Sequence, residues 1–237
     1  MSTPAVRRFF LLGILVFATF LAWFFVERNP NVEFRRFKKA IAQDYQAQIA
    51  PLSKKEYVLN ISEPPLLEAE HHFYRYYSIN FRPNNASGLN EKNKADWQRL
   101  KNQMQDKLLE IKQLRSDPSL YNLGGVIKTT LVRKNTTSEE KWQRLERQLQ
   151  EAPWYYTVAK DNLVHPDTAK TRLAMDKQLL TLQLLQTELL DSLSRSKLKE
   201  PQRQSILTHH YKARIAVKDY LAFCRSILFE SQNGVLN

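Results

Sequence analysis

With 237 residues, 43% of them hydrophobic and 25% charged, the chain has the composition of a folded protein and not of a disordered one. Five glycines in that length argue against a long doubly wound sheet with glycine-rich turns, and the single cysteine, Cys224, excludes an intramolecular disulfide or a cysteine-based zinc cluster. A net charge of +12, from 36 Lys and Arg against 24 Asp and Glu, turns the surface toward anionic partners.

Residues 1–8 are a short tail ending in Arg7 and Arg8. Residues 9–26, FFLLGILVFATFLAWFFV, contain no charge, and as a helix they would rise about 27 Å, close to the hydrocarbon thickness of a bilayer. Arg7 and Arg8 on one side, Glu27 to Pro30 on the other and Trp23 near the second boundary predict a single transmembrane helix. Trp23, Phe24 and Phe25 stand where small residues would mark signal-peptide cleavage, so the segment is expected to be retained as an anchor. Counting bases on the two sides places the following domain in the cytoplasm, because Arg28, Arg35, Arg36, Lys38 and Lys39 come after the segment. The compact Arg7 and Arg8 pair abutting the apolar run reads the other way, as a signal anchor. The expectation adopted is a single-pass bacterial inner-membrane protein with its C-terminal domain outside the cytoplasm.

Residues 27–50 predict a basic juxtamembrane helix, with Phe34, Phe37, Ile41, Tyr45 and Ile49 at three- and four-residue spacing. Arg35, Arg36, Lys38 and Lys39 flank that stripe and are candidate contacts to an anionic surface. Pro51 ends the helix and opens a soluble domain over residues 51–237.

The fold expected there is α+β and mainly helical. Three pieces, residues 56–62, 73–81 and 125–132, read as strands of a small antiparallel sheet. In the second, alternation puts Tyr74 and Tyr76 on one face, and Tyr74, Arg75 and Tyr76 form a candidate protein interface. Helices are expected over residues 91–115, from Ser138 to a stop at Pro153, over residues 166–198 and over residues 201–229. The first of the last two carries nine leucines between positions 173 and 193 and is expected to be central to the core, and the short connection at Pro201 predicts long antiparallel C-terminal helices.

Chemistry is thinly signposted. Glu68, Glu70 and His72 would make a zinc set only if an extended backbone aligned them, and His210 with Arg214 one helical turn on could hold a phosphate. Solvated or structural roles suit these residues better. Gly124 and Gly125 lack the Lys-Ser/Thr pair of a phosphate loop, and Cys224 in an apolar helix reads as a small buried residue. No catalytic residue, cofactor or metal is assigned. These observations predict a membrane-anchored adaptor or assembly component whose partners are other membrane or envelope proteins. The alternatives are a module for anionic lipid or anionic polymer and a membrane-tethered enzyme. Nucleic acid is disfavoured because no module for it is present.

Overall fold

The computed structural model of the chain describes residues 17, 19, 29–53, 57–80, 88–134 and 136–232. Among them all regular structure is helical: α1 (Pro30–Gln48), α2 (Pro64–Asn80), α3 (Glu91–Ser116), a 3-10 turn (Pro118–Leu120), α4 (Leu123–Val132), α5 (Ser138–Asn162), α6 (Thr168–Gln186), α7 (Glu188–Ser194) and α8 (Glu200–Gln232). The chain forms two compact units, one from residues 1–51 and 70–108 and the other from residues 52–69 and 109–237.

In the first unit, Asn29 starts α1 by accepting the Asn31 backbone N–H at 2.9 Å, and Pro30 occupies a position whose N–H would be unpaired in any case. The predicted aromatic stripe is real: Phe34 and Ile49 are buried, and Phe37 and Tyr45 meet Tyr77 and Phe73 edge-on at 5.6 and 5.7 Å. The Tyr77 hydroxyl donates to Asp44. Lys38 pairs with Asp96 at 2.9 Å, and that bond holds the Asp96 carboxyl below its usual range.

The expected strand over residues 73–81 is corrected by this packing. Residues 73–80 belong to α2, and residue 81 lies outside the described residues. The run satisfies a period of two, but Phe73 and Tyr77 are also four apart, and that spacing is the one that finds partners on α1.

In the second unit, α5, α6 and α8 enclose a core that includes Leu145, Leu149, Ala152, Tyr156, Leu185, Val217, Tyr220 and Cys224. The expected element does meet more than one neighbour, α4 and α8 among them, although Leu173, Leu179 and Leu180 are exposed, and the helix breaks at Thr187 (φ −116°, ψ −76°), dividing it into α6 and α7. Several buried polar groups of this core have defined mates: Tyr156 donates to Gln178 Oε1 at 2.5 Å, Gln178 Nε2 to the Tyr121 carbonyl at 2.8 Å, and Tyr220 to the Pro118 carbonyl at 3.0 Å. Burial pushes the Cys224 thiol up to about 12, so it is a packing residue and not a nucleophile.

Residues 125–132 form most of α4 and not a strand. Asn122 caps the helix by accepting the Gly125 N–H at 3.1 Å, Leu123 and Ile127 are fully buried, and Thr129 and Thr130 turn their hydroxyls back to carbonyls four residues earlier. Tertiary burial has overridden the β-branched composition. Residues 57–62 bend at Val58 and Leu59 and form no strand, and residue 56 lies outside the described residues. The small antiparallel sheet is therefore absent from them. Pro153 does not end its helix either, because α5 continues to Asn162 through the buried Tyr155, Tyr156, Val158 and Ala159.

The expected transmembrane helix of residues 9–26 falls, apart from Phe17 and Thr19, outside the described residues. No helix among the described residues is long and apolar enough to cross a membrane, so the single-pass architecture is withdrawn.

Gly124 marks a tight crossing of α4 on α6. A Cβ there would collide with Thr181 Oγ1 and lie 3.1 Å from Thr181 Cα. Gly124→Ala is expected to cost about 1–3 kcal/mol in urea denaturation, as overpacking of a close contact does. His210 supplies a pH test. Its ring is buried, its Nε2 stands 2.8 Å from the Leu185 carbonyl, and burial followed by the Arg214 charge holds it below its ordinary value. The unfolded chain therefore binds the extra proton first, and this part of the stability is lost as pH falls below about 6.5. The melting temperature should fall between pH 7.5 and 5.5, and His210→Gln should flatten that slope.

Candidate functional site

A short strap, residues 57–62, runs against α5 and builds one wall of a cleft. Its backbone explains its place. Val58 and Leu59 donate their N–H groups to the two carboxylate oxygens of Glu151 at 3.1 and 2.8 Å, which replaces the ladder a neighbouring strand would have supplied. Tyr57 stacks on Trp154 with ring centroids 3.7 Å apart, Leu59 is buried in the core, and Asn162 Nδ2 donates to the Ser62 carbonyl at 2.9 Å. The strap is thus fixed at both ends and in the middle.

The opposite wall comes from the start of α5. Thr137 and Glu140 form a capping box: the Thr137 hydroxyl accepts the Glu140 N–H at 3.2 Å, and the Glu140 carboxylate accepts the Thr137 N–H at 3.0 Å. That bond, with the charge of Arg133 adding to it, holds the Glu140 carboxyl below its usual range. Along the helix, Trp142, Leu145 and Leu149 point into the core, so Glu140, Arg144 and Arg147, spaced by four and three, share the outer face with Glu151.

Strap, cap and helix face enclose a cleft of about 750 Å³ lined by Tyr57, Val58, Asn60, Ile61, Arg133, Thr136, Glu140, Gln143, Arg144 and Arg147. Three guanidinium groups face one carboxylate that is already engaged by the helix cap. Arg133, Arg144 and Arg147 are exposed and make no ion pair among the described residues. Thr136 Oγ1 is shielded from solvent and has no hydrogen-bond partner, and the Asn60 amide makes no hydrogen bond among the described residues. Chemically the cleft is a cationic, donor-rich recess without a nucleophile–base pair.

The residues singled out from sequence lie elsewhere. On α1, Lys38 is committed to Asp96 and sits 4.8 Å above the Phe34 ring, Arg35 donates to the Asn31 carbonyl at 3.3 Å, and Arg36 and Lys39 are exposed. Tyr74, Arg75 and Tyr76 are on α2, where successive side chains diverge by about 100°. Tyr74 is half-buried with its ring 5.2 Å from Phe73, whereas Arg75 and Tyr76 are exposed. The helix turns Glu70 away from Glu68 and His72, so the zinc set drawn on an extended chain does not form; Glu68, which is bonded to Arg115, and His72 instead gather with His71, their ligand atoms within 4.8 Å of one another. His210 is buried against Leu185 and is not poised with Arg214 for phosphate. The cleft arginines were missed, although Arg144-x-x-Arg147 opposite the Trp142, Leu145 and Leu149 stripe was a readable signal.

No protein family matches the chain, and no curated protein matches it. A solved structure of a protein provisionally designated a lipoprotein, of unknown function, from Shewanella oneidensis aligns over 86% of this chain with a TM-score of 0.59 and 18% identity. The chain spans 39% of that protein's length. At this identity the likeness shows the fold alone. It also gives no support to the expected bacterial inner-membrane placement with the C-terminal domain outside the cytoplasm. The designation of that protein is a lipoprotein, and no helix among the described residues is long and apolar enough to span a bilayer.

The strap has a direct test. Glu151→Gln keeps the size of the side chain but leaves the Val58 and Leu59 N–H groups without their carboxylate. The expected result is a loss of about 1–3 kcal/mol in chemical denaturation and a change in Trp154 emission as the Tyr57 stack loosens.

Proposed function

We propose that the chain is a binding protein for an anionic ligand, held in the cleft between the strap and α5. The observation that carries this reading is the set of three arginines, Arg133, Arg144 and Arg147, gathered on one recess without ion-pair partners among the described residues. Leaving three together costs mutual repulsion that a bound anion would relieve. Planar guanidinium forks match phosphate and carboxylate oxygens two at a time, which gives the recess selectivity as well as charge.

A second reading, in which the chain acts as an adaptor through protein contacts, has one specific support. Leu179 and Leu180 on α6 are 50% and 65% exposed, beside Leu173 two turns earlier at 42%. Crosslinking of the full chain in its native cell, followed by identification of partners, separates this reading from ligand binding alone.

The anion reading predicts that pyrophosphate titrated into the full chain perturbs Trp154 fluorescence, and that Arg144→Glu with Arg147→Glu weakens the apparent Kd by about 30-fold or more, on the scale of two lost charge-assisted contacts. Circular dichroism should stay unchanged, since both side chains are exposed. An unaltered Kd in the double variant would sink the proposal.

A further inference from the structure

The lining of the cleft narrows the chemistry of its occupant. We infer that the ligand is an anionic saccharide, a polyhydroxylated molecule bearing phosphate or carboxylate groups; this rests on the anion-binding reading above.

Size is the first argument. A volume of about 750 Å³ lies in the range of sites for organic ligands and far exceeds what one inorganic anion fills. The second is the distribution of charge. Arg144 and Arg147 are one turn apart on α5 while Arg133 approaches from the loop before it, so the cations are spread around the recess and suit a molecule with more than one acidic group or one acid on a large frame.

The third argument is the uncharged lining. Asn60 offers an amide and Gln143 an amide oxygen, its Nε2 already donating to Glu139 at 3.3 Å, and Thr136 forms part of the wall beside them. Amide groups facing the recess both donate and accept, which suits the hydroxyl groups of a polyhydroxylated ligand. Apolar lining is confined to Val58, Ile61 and the Tyr57 ring, one side of which is already covered by Trp154. That surface is too small to seat an acyl chain, and it offers no row of free rings on which nucleobases would stack.

The experiment is calorimetric titration of the full chain, at fixed ionic strength, with fructose 1,6-bisphosphate, trigalacturonate, neutral maltotriose, inorganic phosphate and hexaglutamate. The expected result is that one of the two acidic sugars binds about tenfold or more tighter than inorganic phosphate, with maltotriose silent. Which sugar binds assigns the acid as phosphate or carboxylate. Asn60→Ala, at an exposed position, should weaken that sugar about fivefold and leave inorganic phosphate unchanged, the signature of a lost hydroxyl contact. If inorganic phosphate binds through Arg144 and Arg147 but neither sugar binds more tightly, the saccharide inference fails and the anion reading survives. Tighter binding of hexaglutamate than of both sugars also overturns it. If no anion binds in an arginine-dependent way, both readings fall together.

Discussion

The continuity of α5 through Pro153 is the constraint on which the second unit depends. A proline inside a helix removes a hydrogen bond and crowds the preceding turn, at a cost of about 3 kcal/mol. Here the residues that follow it, Tyr155, Tyr156, Val158 and Ala159, are all buried, and fully burying even one or two large side chains offsets a cost of that order. The result is a single rod with two occupations. Its inner face carries the tyrosines and leucines of the core, while its outer face presents Glu140, Arg144, Arg147 and Glu151 in one line. Had the helix ended at Pro153, Trp154 and Asn162 would no longer be held in register with Glu151, and the strap would lose two of its three attachments.

Buried polar groups then fix which helix meets which. Gln178 on α6 is wholly buried and bonds to Tyr156 of α5 on one side and to the Tyr121 carbonyl on the other. Gln148 of α5 donates to Thr130 of α4 at 2.9 Å. An apolar core tolerates sliding by a turn, whereas a buried amide whose partners lie on two different segments does not. The absence of a side chain at Gly124 lets α4 approach α6 closely enough for this set of contacts to close. The strap inherits its precision from the same frame, since Glu151 projects from a helix that cannot rotate without breaking those bonds.

Much of the helical content was legible in the sequence, and the reasons for the exceptions are physical. The apolar spacing of residues 91–115 and 201–229 gave α3 and α8 nearly to their ends, because three- and four-residue repeats over several turns admit one reading. Residues 73–80 did not, since an aromatic run satisfies periods of two and of four at once and only the partners Phe37 and Tyr45 on α1 decide between them. Residues 125–132 misled through composition: Val126, Ile127, Thr129 and Thr130 favour strands, but the cap at Asn122 and the burial of Leu123 and Ile127 outweigh that preference. The zinc set of Glu68, Glu70 and His72 failed with the helix that replaced the extended chain. The cleft was invisible for a different reason. Its strap and its arginines are about 70 to 90 positions apart in sequence, and what joins them is a carboxylate accepting two backbone N–H groups, an interaction with no periodic signature.

The two acids on the outer face of α5 account for the charge of the recess between them. Glu140 is drawn into the helix cap and Glu151 into the strap, so neither forms an ion pair with Arg144 or Arg147 on the same face, although the Arg133 charge still acts on Glu140. In an isolated helix, Glu140 and Arg144 four residues apart would be expected to pair. The fold instead spends both acids on the backbone and leaves the guanidinium groups facing the cleft. The local positive field is therefore a consequence of how the strap and the helix start are fastened, and not merely of a basic composition spread over the surface. A change that freed Glu140 or Glu151 from its backbone partners would alter the charge of the cleft without touching an arginine.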